Sequence, residues 1–135
     1  MATRPTLPSL SLMIVEDDKA ACEILARMIG LEFPDFTVYT AENGLKGLEI
    51  FREHSPNVVI TDVNLPVMDG FELACEIRSI NANATYIVLT AYNDPTIFQK
   101  FKDMGVCAYL LKPINFKELF ATIERCRVES IAAPS

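Results

Sequence analysis

The sequence predicts an α/β fold: a doubly wound, five-stranded parallel sheet carrying five helices. Three observations predict it. Five short apolar runs alternate strictly with five stretches whose apolar residues recur at helical spacing. The first, third and fourth runs are rich in Val, Ile and Leu with little polar alternation, as strands buried on both faces are. The first, third, fourth and fifth runs stop abruptly on a polar or charged residue. Strict alternation puts helices on both faces of one sheet, and 135 residues leave room for one domain.

The elements follow in order. Residues 1–9 read as a flexible lead-in and 10–128 as the folded domain. Leu10–Val15 is the first strand, closed by Glu16, Asp17 and Asp18. Ala21, Cys22, Leu25, Met28 and Ile29 then fall on one helical face, with Asp18 as the cap and Gly30 as the expected stop. Phe36–Thr40 is a short second strand. Asn43-Gly44 opens a helix expected to bury Leu45, Leu48 and Phe51, and His54-Ser55-Pro56 ends it.

Val58–Asp62 is the third strand. Pro66 and Asp69-Gly70 mark the loop after it, with Asp69 as the cap of a helix expected to bury Leu73, Ile77 and Ile80. Tyr86–Thr90 is the fourth strand. Asp94-Pro95 starts a helix, acid at the cap and proline at the first helical position, with Ile97, Phe101 and Met104 inward and Gly105 as the stop. Cys107–Leu111 is the fifth strand, ending at Lys112-Pro113. Asn115 and Glu118 resemble a capping box for the last helix, which carries Leu119, Ile123 and Cys126; 129–135 reads as a tail.

Bulk properties exclude several classes. The formal net charge of −6 argues against non-specific nucleic-acid or anionic-membrane binding. No apolar run approaches the about 20 residues of a membrane span, and residues 1–9 lack the apolar segment of a secretory signal. Cys22, Cys75, Cys107 and Cys126 show no CxxC spacing and read as small buried hydrophobes in a reducing cytoplasm. The single histidine, His54, reads as a solvated helix-end residue, which leaves zinc without a ligand set.

The informative polar residues sit just past strand ends: Glu16 and Asp17 after the first, Asp62 on the third, Thr90 on the fourth and Lys112 after the fifth. In a doubly wound sheet these ends share one edge, where such folds place their chemistry. Three carboxylates converging there repel; at about 5 Å and an effective dielectric of about 20, each pair costs about 3 kcal/mol. A divalent cation removes that cost, and hard oxygen ligands favour Mg²⁺, with Mn²⁺ as the alternative. An aspartate can act as a nucleophile toward phosphorus. Lys112 could neutralise the oxygens of a transferring phosphoryl group, and Thr90 could donate to one of them. No GxxxxGK[ST] or GxGxxG loop occurs, so the phosphoryl donor must be another protein or a small acyl phosphate. Taken singly, Asp62 could be a strand-end acid, Thr90 a backbone-satisfied hydroxyl, Lys112 a surface charge and Tyr109 a core ring; their order at successive strand ends favours the joint reading.

These elements together resemble the receiver (CheY-like) domain of two-component response regulators. The likeness runs from about Leu10 to Arg127 and rests on Ile14-Val15-Glu16-Asp17-Asp18, Asp62 with Leu65-Pro66 and Met68-Asp69-Gly70, Leu89-Thr90-Ala91, and Lys112-Pro113. The resemblance implies a flavodoxin-like sheet of strand order 2-1-3-4-5. It implies Asp62 as the phosphorylated aspartate, with Glu16, Asp17, Asp62 and the backbone carbonyl of Asn64 holding Mg²⁺. It implies Thr90 and Tyr109 as the switch pair and Lys112 as the family's lysine, whose bond to Pro113 is often cis. Tyr92, two residues past Thr90, is bulkier than many relatives carry and bears on access to the phosphate. The expected partners are a sensor histidine kinase or phosphotransfer protein upstream and an output domain or target protein downstream, with no direct nucleic-acid or membrane binding. The expected protein is cytoplasmic, a monomer or weak dimer, and not a turnover enzyme: it catalyses only its own phosphorylation and dephosphorylation. A phosphatase with an aspartate nucleophile would carry a second acid at Asn64. A flavodoxin-like cofactor binder would not place Glu16-Asp17-Asp18 where a phosphate must sit. A silent receiver would not keep all five polar residues.

Overall fold

A computed structural model describes residues 10–91, 94–106 and 108–132, with side chains as far as Arg127. The expected lead-in, Tyr92, Cys107 and residues 133–135 lie outside the described residues. The element order is β1 (Ser11–Val15), α1 (Lys19–Glu32), β2 (Thr37–Ala41), α2 (Gly44–His54), β3 (Val58–Asp62), α3 (Gly70–Ile80), β4 (Thr85–Thr90), α4 (Pro95–Met104), β5 (Ala108–Leu111) and α5 (Phe116–Ala132). The strands form one parallel sheet in the order β2-β1-β3-β4-β5. No helix among the described residues is long and apolar enough to cross a membrane.

The period-two geometry of the strands divides the core. Leu12, Ile14, Val58, Ile60, Ile87 and Leu89 face α1 and α5, where Leu25, Ile29, Leu119, Ile123 and Cys126 meet them. Met13, Val15, Val59, Tyr86 and Val88 face the other way, onto Leu48 and Phe51 of α2, Leu73 and Ile77 of α3 and Phe101 of α4. Each fully buried Leu, Ile, Val or Phe contributes about 1.5–3 kcal/mol, so both layers hold the central strands flat against their helices.

The caps explain where the helices begin. Asp18, Asn43 and Asp69 accept from Ala21, Lys46 and Glu72 amides at 3.1, 2.8 and 2.8 Å. Asp94 accepts from Thr96 and Ile97, with Pro95 at the first helical position, and Asn115 accepts from Glu118 at 3.1 Å. Gly105 ends α4 at φ 87°.

Several boundaries and faces differ from the sequence reading. Gly30 does not stop α1, which runs to Glu32 and is capped by buried Phe33, whose amide donates to the Ile29 carbonyl. Pro34 disfavours helical geometry at the residue before it, and that ends the helix. In α2 the inward stripe is Gly44, Gly47, Leu48 and Phe51, and Leu45 is exposed. Gly44 takes the inward place because Met68 backbone packs against it. In α3, Ala74 joins Leu73 and Ile77 inside, Ile80 in the last turn is exposed, and Cys75, on the outer face, is exposed and not buried as expected. β2 begins and ends one residue late, at Thr37 and Ala41, and α5 continues to Ala132, into the stretch read as a tail. His54 stacks on Tyr39, ring centroids 4.5 Å apart, so it packs as well as meeting solvent.

Tyr86 gives this core a measurable alkaline signature. Its ring is 1% exposed and its hydroxyl donates to the Ala74 carbonyl at 3.2 Å. Burial pushes the phenol above its ordinary value of 10. Above that pH the unfolded chain releases a proton that the folded chain keeps, so stability falls as pH rises. Tyr86→Phe should cost about 1 kcal/mol at neutral pH through the lost hydrogen bond and flatten the alkaline decline. Urea midpoints measured at neutral pH and at about pH 11 check this; an unchanged alkaline decline in the variant would count against it.

Candidate functional site

Strand register brings the polar residues together. Val15 of β1 pairs with Thr61 of β3, so Glu16 lies beside Asp62 one step further on. Asp62 pairs with Leu89, one residue before Thr90, and Thr90 pairs with Leu111, one residue before Lys112. Glu16 is anchored by its amide to the Ala41 carbonyl at 3.0 Å, and Lys112 by its amide to the Thr90 carbonyl at 2.7 Å. The Lys112–Pro113 peptide bond is cis.

One carboxylate oxygen each from Glu16, Asp17 and Asp62 lies within 4.8 Å of the others. Glu16 is 5% exposed, Asp62 is largely covered and Asp17 faces solvent. The Lys112 ammonium reaches into the cluster, donating to Asp62 Oδ2 at 2.6 Å and to Glu16 Oε1 at 3.1 Å. Asp62 Oδ1 also accepts from the Asn64 amide at 3.2 Å, and Glu16 Oε2 from the Asp17 amide at 3.1 Å. Burial pushes the Glu16 carboxyl above the usual range; Lys112 opposes this and Asp62 adds to it. Burial pulls Lys112 down, but its hydrogen bonds to Asp62 and Glu16 outweigh that and hold the ammonium above its ordinary value.

Three carboxylates against one ammonium leave two negative charges at this edge. All three are hard oxygen donors, and the exposed Asp17 gives the cluster an open side. The donor set therefore fits a divalent cation that prefers oxygen and keeps open positions. A cleft of about 620 Å³ opens beside Glu16 and Asp17 between α1 and β2, with Cys22, Arg27, Thr40 and Lys46 in its lining.

The loop after Asp62 is held tightly. The Gly70 amide donates to the Val63 carbonyl at 2.8 Å and the Met68 amide to the Pro66 carbonyl at 2.8 Å. Gly70 packs so closely on the Asp62 carbonyl oxygen that a Cβ there would overlap it, and Gly44 stands in the same relation to the Met68 carbonyl. Between them Val67, 77% exposed, sits at φ 71°. A left-handed conformation costs an L-residue about 1–2 kcal/mol.

Thr90, 1% exposed, ends β4 on the same edge. Tyr109 is not part of the carboxylate cluster; its ring packs on α4, edge-to-face with Phe98 at 5.1 Å and tilted against Phe101 at 6.2 Å. Sequence reasoning missed the close approach at Gly44, the strained Val67 and the Lys112–Glu16 contact. An apolar periodicity assigns no role to glycines, and the Lys112–Glu16 contact depends on the register of three strands.

The chain that carries this edge matches a known family over most of its length. Residues 12–124 fit the response regulator receiver domain. The chain belongs to that family. A two-component response regulator of Arabidopsis thaliana, ARR12, is 35% identical over 82% of this chain, which corresponds to 18% of that protein. The sporulation initiation phosphotransferase F of Bacillus subtilis is 27% identical over 84% of this chain and 90% of its own length. A CheY-like receiver domain protein from Methanospirillum hungatei JF-1 superposes with a TM-score of 0.83 at 26% identity, covering 90% of this chain and 96% of that one. The receiver domain spans less than half the length of several curated relatives that it matches. Receiver domains are signalling domains of two-component systems, and the phosphoacceptor role of the family agrees with the acidic cluster at this edge.

Proposed function

We propose that this receiver accepts a phosphoryl group on Asp62 from a sensor histidine kinase or phosphotransfer protein, or from a small acyl phosphate. The observation that carries the reading is the Lys112 ammonium 2.6 Å from Asp62 Oδ2, beside the three-carboxylate cluster. An Asp62 oxygen attacks phosphorus in line; the bond from phosphorus to the donor imidazole nitrogen or acyl oxygen breaks, and its electron pair leaves with the donor. Lys112 then holds a phosphoryl oxygen, and the Thr90 hydroxyl donates to another. Glu16, Asp17, Asp62 and the Asn64 carbonyl would hold Mg²⁺ or Mn²⁺, which supplies charge neutralisation at the transferring group when bound.

Charge-assisted hydrogen bonds contribute about 1.5–3 kcal/mol each, and inverting a 1:99 equilibrium takes about 5.5 kcal/mol. Two contacts made only in the phosphorylated state, from Thr90 and Lys112, approach that figure. Tyr109 turning inward behind Thr90 would remodel the face formed by α4, β5 and α5, presenting it to an output domain or target protein in the cytoplasm. The chemistry is confined to gain and loss of its own phosphoryl group. We assign this unit to residues 10–128, with its last helix continuing to Ala132.

Intact-mass measurement after incubation with acetyl phosphate tests the reading. The wild type should gain one phosphoryl mass only with Mg²⁺ present, and Asp62→Asn none; an equal gain in the variant would refute the assignment. The metal assignment has its own test. Asp17→Ala should weaken Mg²⁺ binding at least about tenfold, since one charged ligand is lost; calorimetric titrations that superimpose would remove Asp17 from the site.

A further inference from the structure

Four aromatic rings connect the loop after Asp62 to the surface of α4. Phe71 is the second residue of α3, directly after Gly70, which packs on the Asp62 carbonyl. Its ring meets Phe101 of α4 edge-on, centroids 5.3 Å apart at 79°. Phe101, 1% exposed, meets Tyr109 at 6.2 Å, and Tyr109 meets Phe98 edge-on at 5.1 Å. Phe98 ends the series 41% exposed. The Lys100 ammonium, midway along α4, lies 5.4 Å from the Phe71 ring at the start of α3.

We propose that Phe71 and Phe101 are positioning residues for the Tyr109 switch, relaying displacement of the Asp62 loop to α4 by ring contact, in parallel with the route through Thr90. The proposal rests on reading Asp62 as the phosphoacceptor. Closely packed interiors do not deform smoothly; a ring in contact on two sides moves with its neighbours or blocks them. Tyr109 cannot change rotamer without changing its contacts to Phe101 and Phe98. Phe101 in turn is seated by Phe71, whose backbone continues from the Gly70–Asp62 contact. Any shift of that loop on phosphorylation therefore bears on Phe71 first and on the Tyr109 pocket second. Phe98, at the exposed end, changes its presentation to solvent when Tyr109 leaves it.

Amide NMR with beryllium trifluoride and Mg²⁺, a mimic of the phosphoryl group, tests the relay. In the wild type the amides of Asn64 and Lys112 report the pocket, and those of Phe98 and Lys100 report α4. In Phe71→Leu the pocket amides should shift as in the wild type, while the α4 response falls about fivefold, within the range of coupling that residues between sites exert. Phe36→Leu, a similar change in the aromatic pair with Phe33 on the opposite face of the sheet, should leave both responses intact. A full α4 response in Phe71→Leu, or an equal loss in Phe36→Leu, overturns the relay while the Asp62 reading stands. Pocket amides that stay still in the wild type overturn the Asp62 reading and the relay with it.

Discussion

Replacing Lys112 by methionine should move two measured quantities in opposite directions. Phosphoryl acceptance from acetyl phosphate should slow about 10²–10³-fold, the usual cost of removing one donor aimed at developing charge. Mg²⁺ binding should tighten about tenfold. The ammonium now lies 2.6 Å from Asp62 Oδ2 and 3.1 Å from Glu16 Oε1, so it competes with any cation for the same oxygens. At about 5 Å and an effective dielectric of about 20, one unit charge alters the energy by about 3 kcal/mol before screening, and salt and the open side at Asp17 reduce that. A substitution that merely disordered the pocket would weaken both properties together. Rates followed by intact mass and affinities from calorimetry separate the two outcomes; a fall in both would show that Lys112 braces the site more than it balances its charge.

Gly70→Ala should be among the most damaging single changes for its size. The added methyl would overlap the Asp62 carbonyl oxygen and lie 3.1 Å from the Asp62 carbonyl carbon and the Val63 Cα. These are backbone atoms, and no flexible side chain can give way. Overpacking of this kind costs about 1–3 kcal/mol, occasionally more, and here the strain falls on the strand end that carries Asp62. Phosphoryl acceptance should drop as well, since a misplacement of about 1 Å can cost about 10²-fold. Gly30→Ala makes the contrast. Nothing lies within 4 Å of the added carbon there, and the position is inside α1, so it should stabilise by about 0.5–1 kcal/mol. Urea denaturation of both variants, with their phosphorylation rates, measures the difference; equal stabilities would mean that the β3–α3 loop accommodates the added methyl.

The two glycines also show what the sequence could and could not reveal. Local chemistry was legible: Asp18, Asn43, Asp69, Asp94 and Asn115 each cap the helix that their side chain and position suggest. β1, β3 and β4 were legible too, because burial on both faces leaves a largely unbroken apolar run. Gly30 misleads because a glycine near the end of a periodic stretch looks like a stop, whereas Pro34 sets the end through its effect on Phe33. Leu45 misled because an apolar side chain was expected at the inward position that Gly44 occupies under Met68. The rim residues could be named from their places at strand ends. Their pairings could not, since Lys112 meets Glu16 across 96 residues, through strand register alone. Ring contacts between α3, α4 and β5 leave no periodic trace, which is why Phe71 passed unnoticed.

If the charge crowded at one sheet edge makes Asp62 the nucleophile toward phosphorus, the phosphoryl group must be found on its carboxylate. Locating the phosphoryl group tests it most directly: treat the acetyl-phosphate-labelled protein with hydroxylamine, which converts an acyl phosphate to a hydroxamate, and sequence the labelled peptide by mass spectrometry. A hydroxamate is expected at Asp62, formed only when Mg²⁺ was present during labelling. A label on Glu16, Asp17 or any other side chain, or labelling at Asp62 that does not depend on the metal, would contradict it.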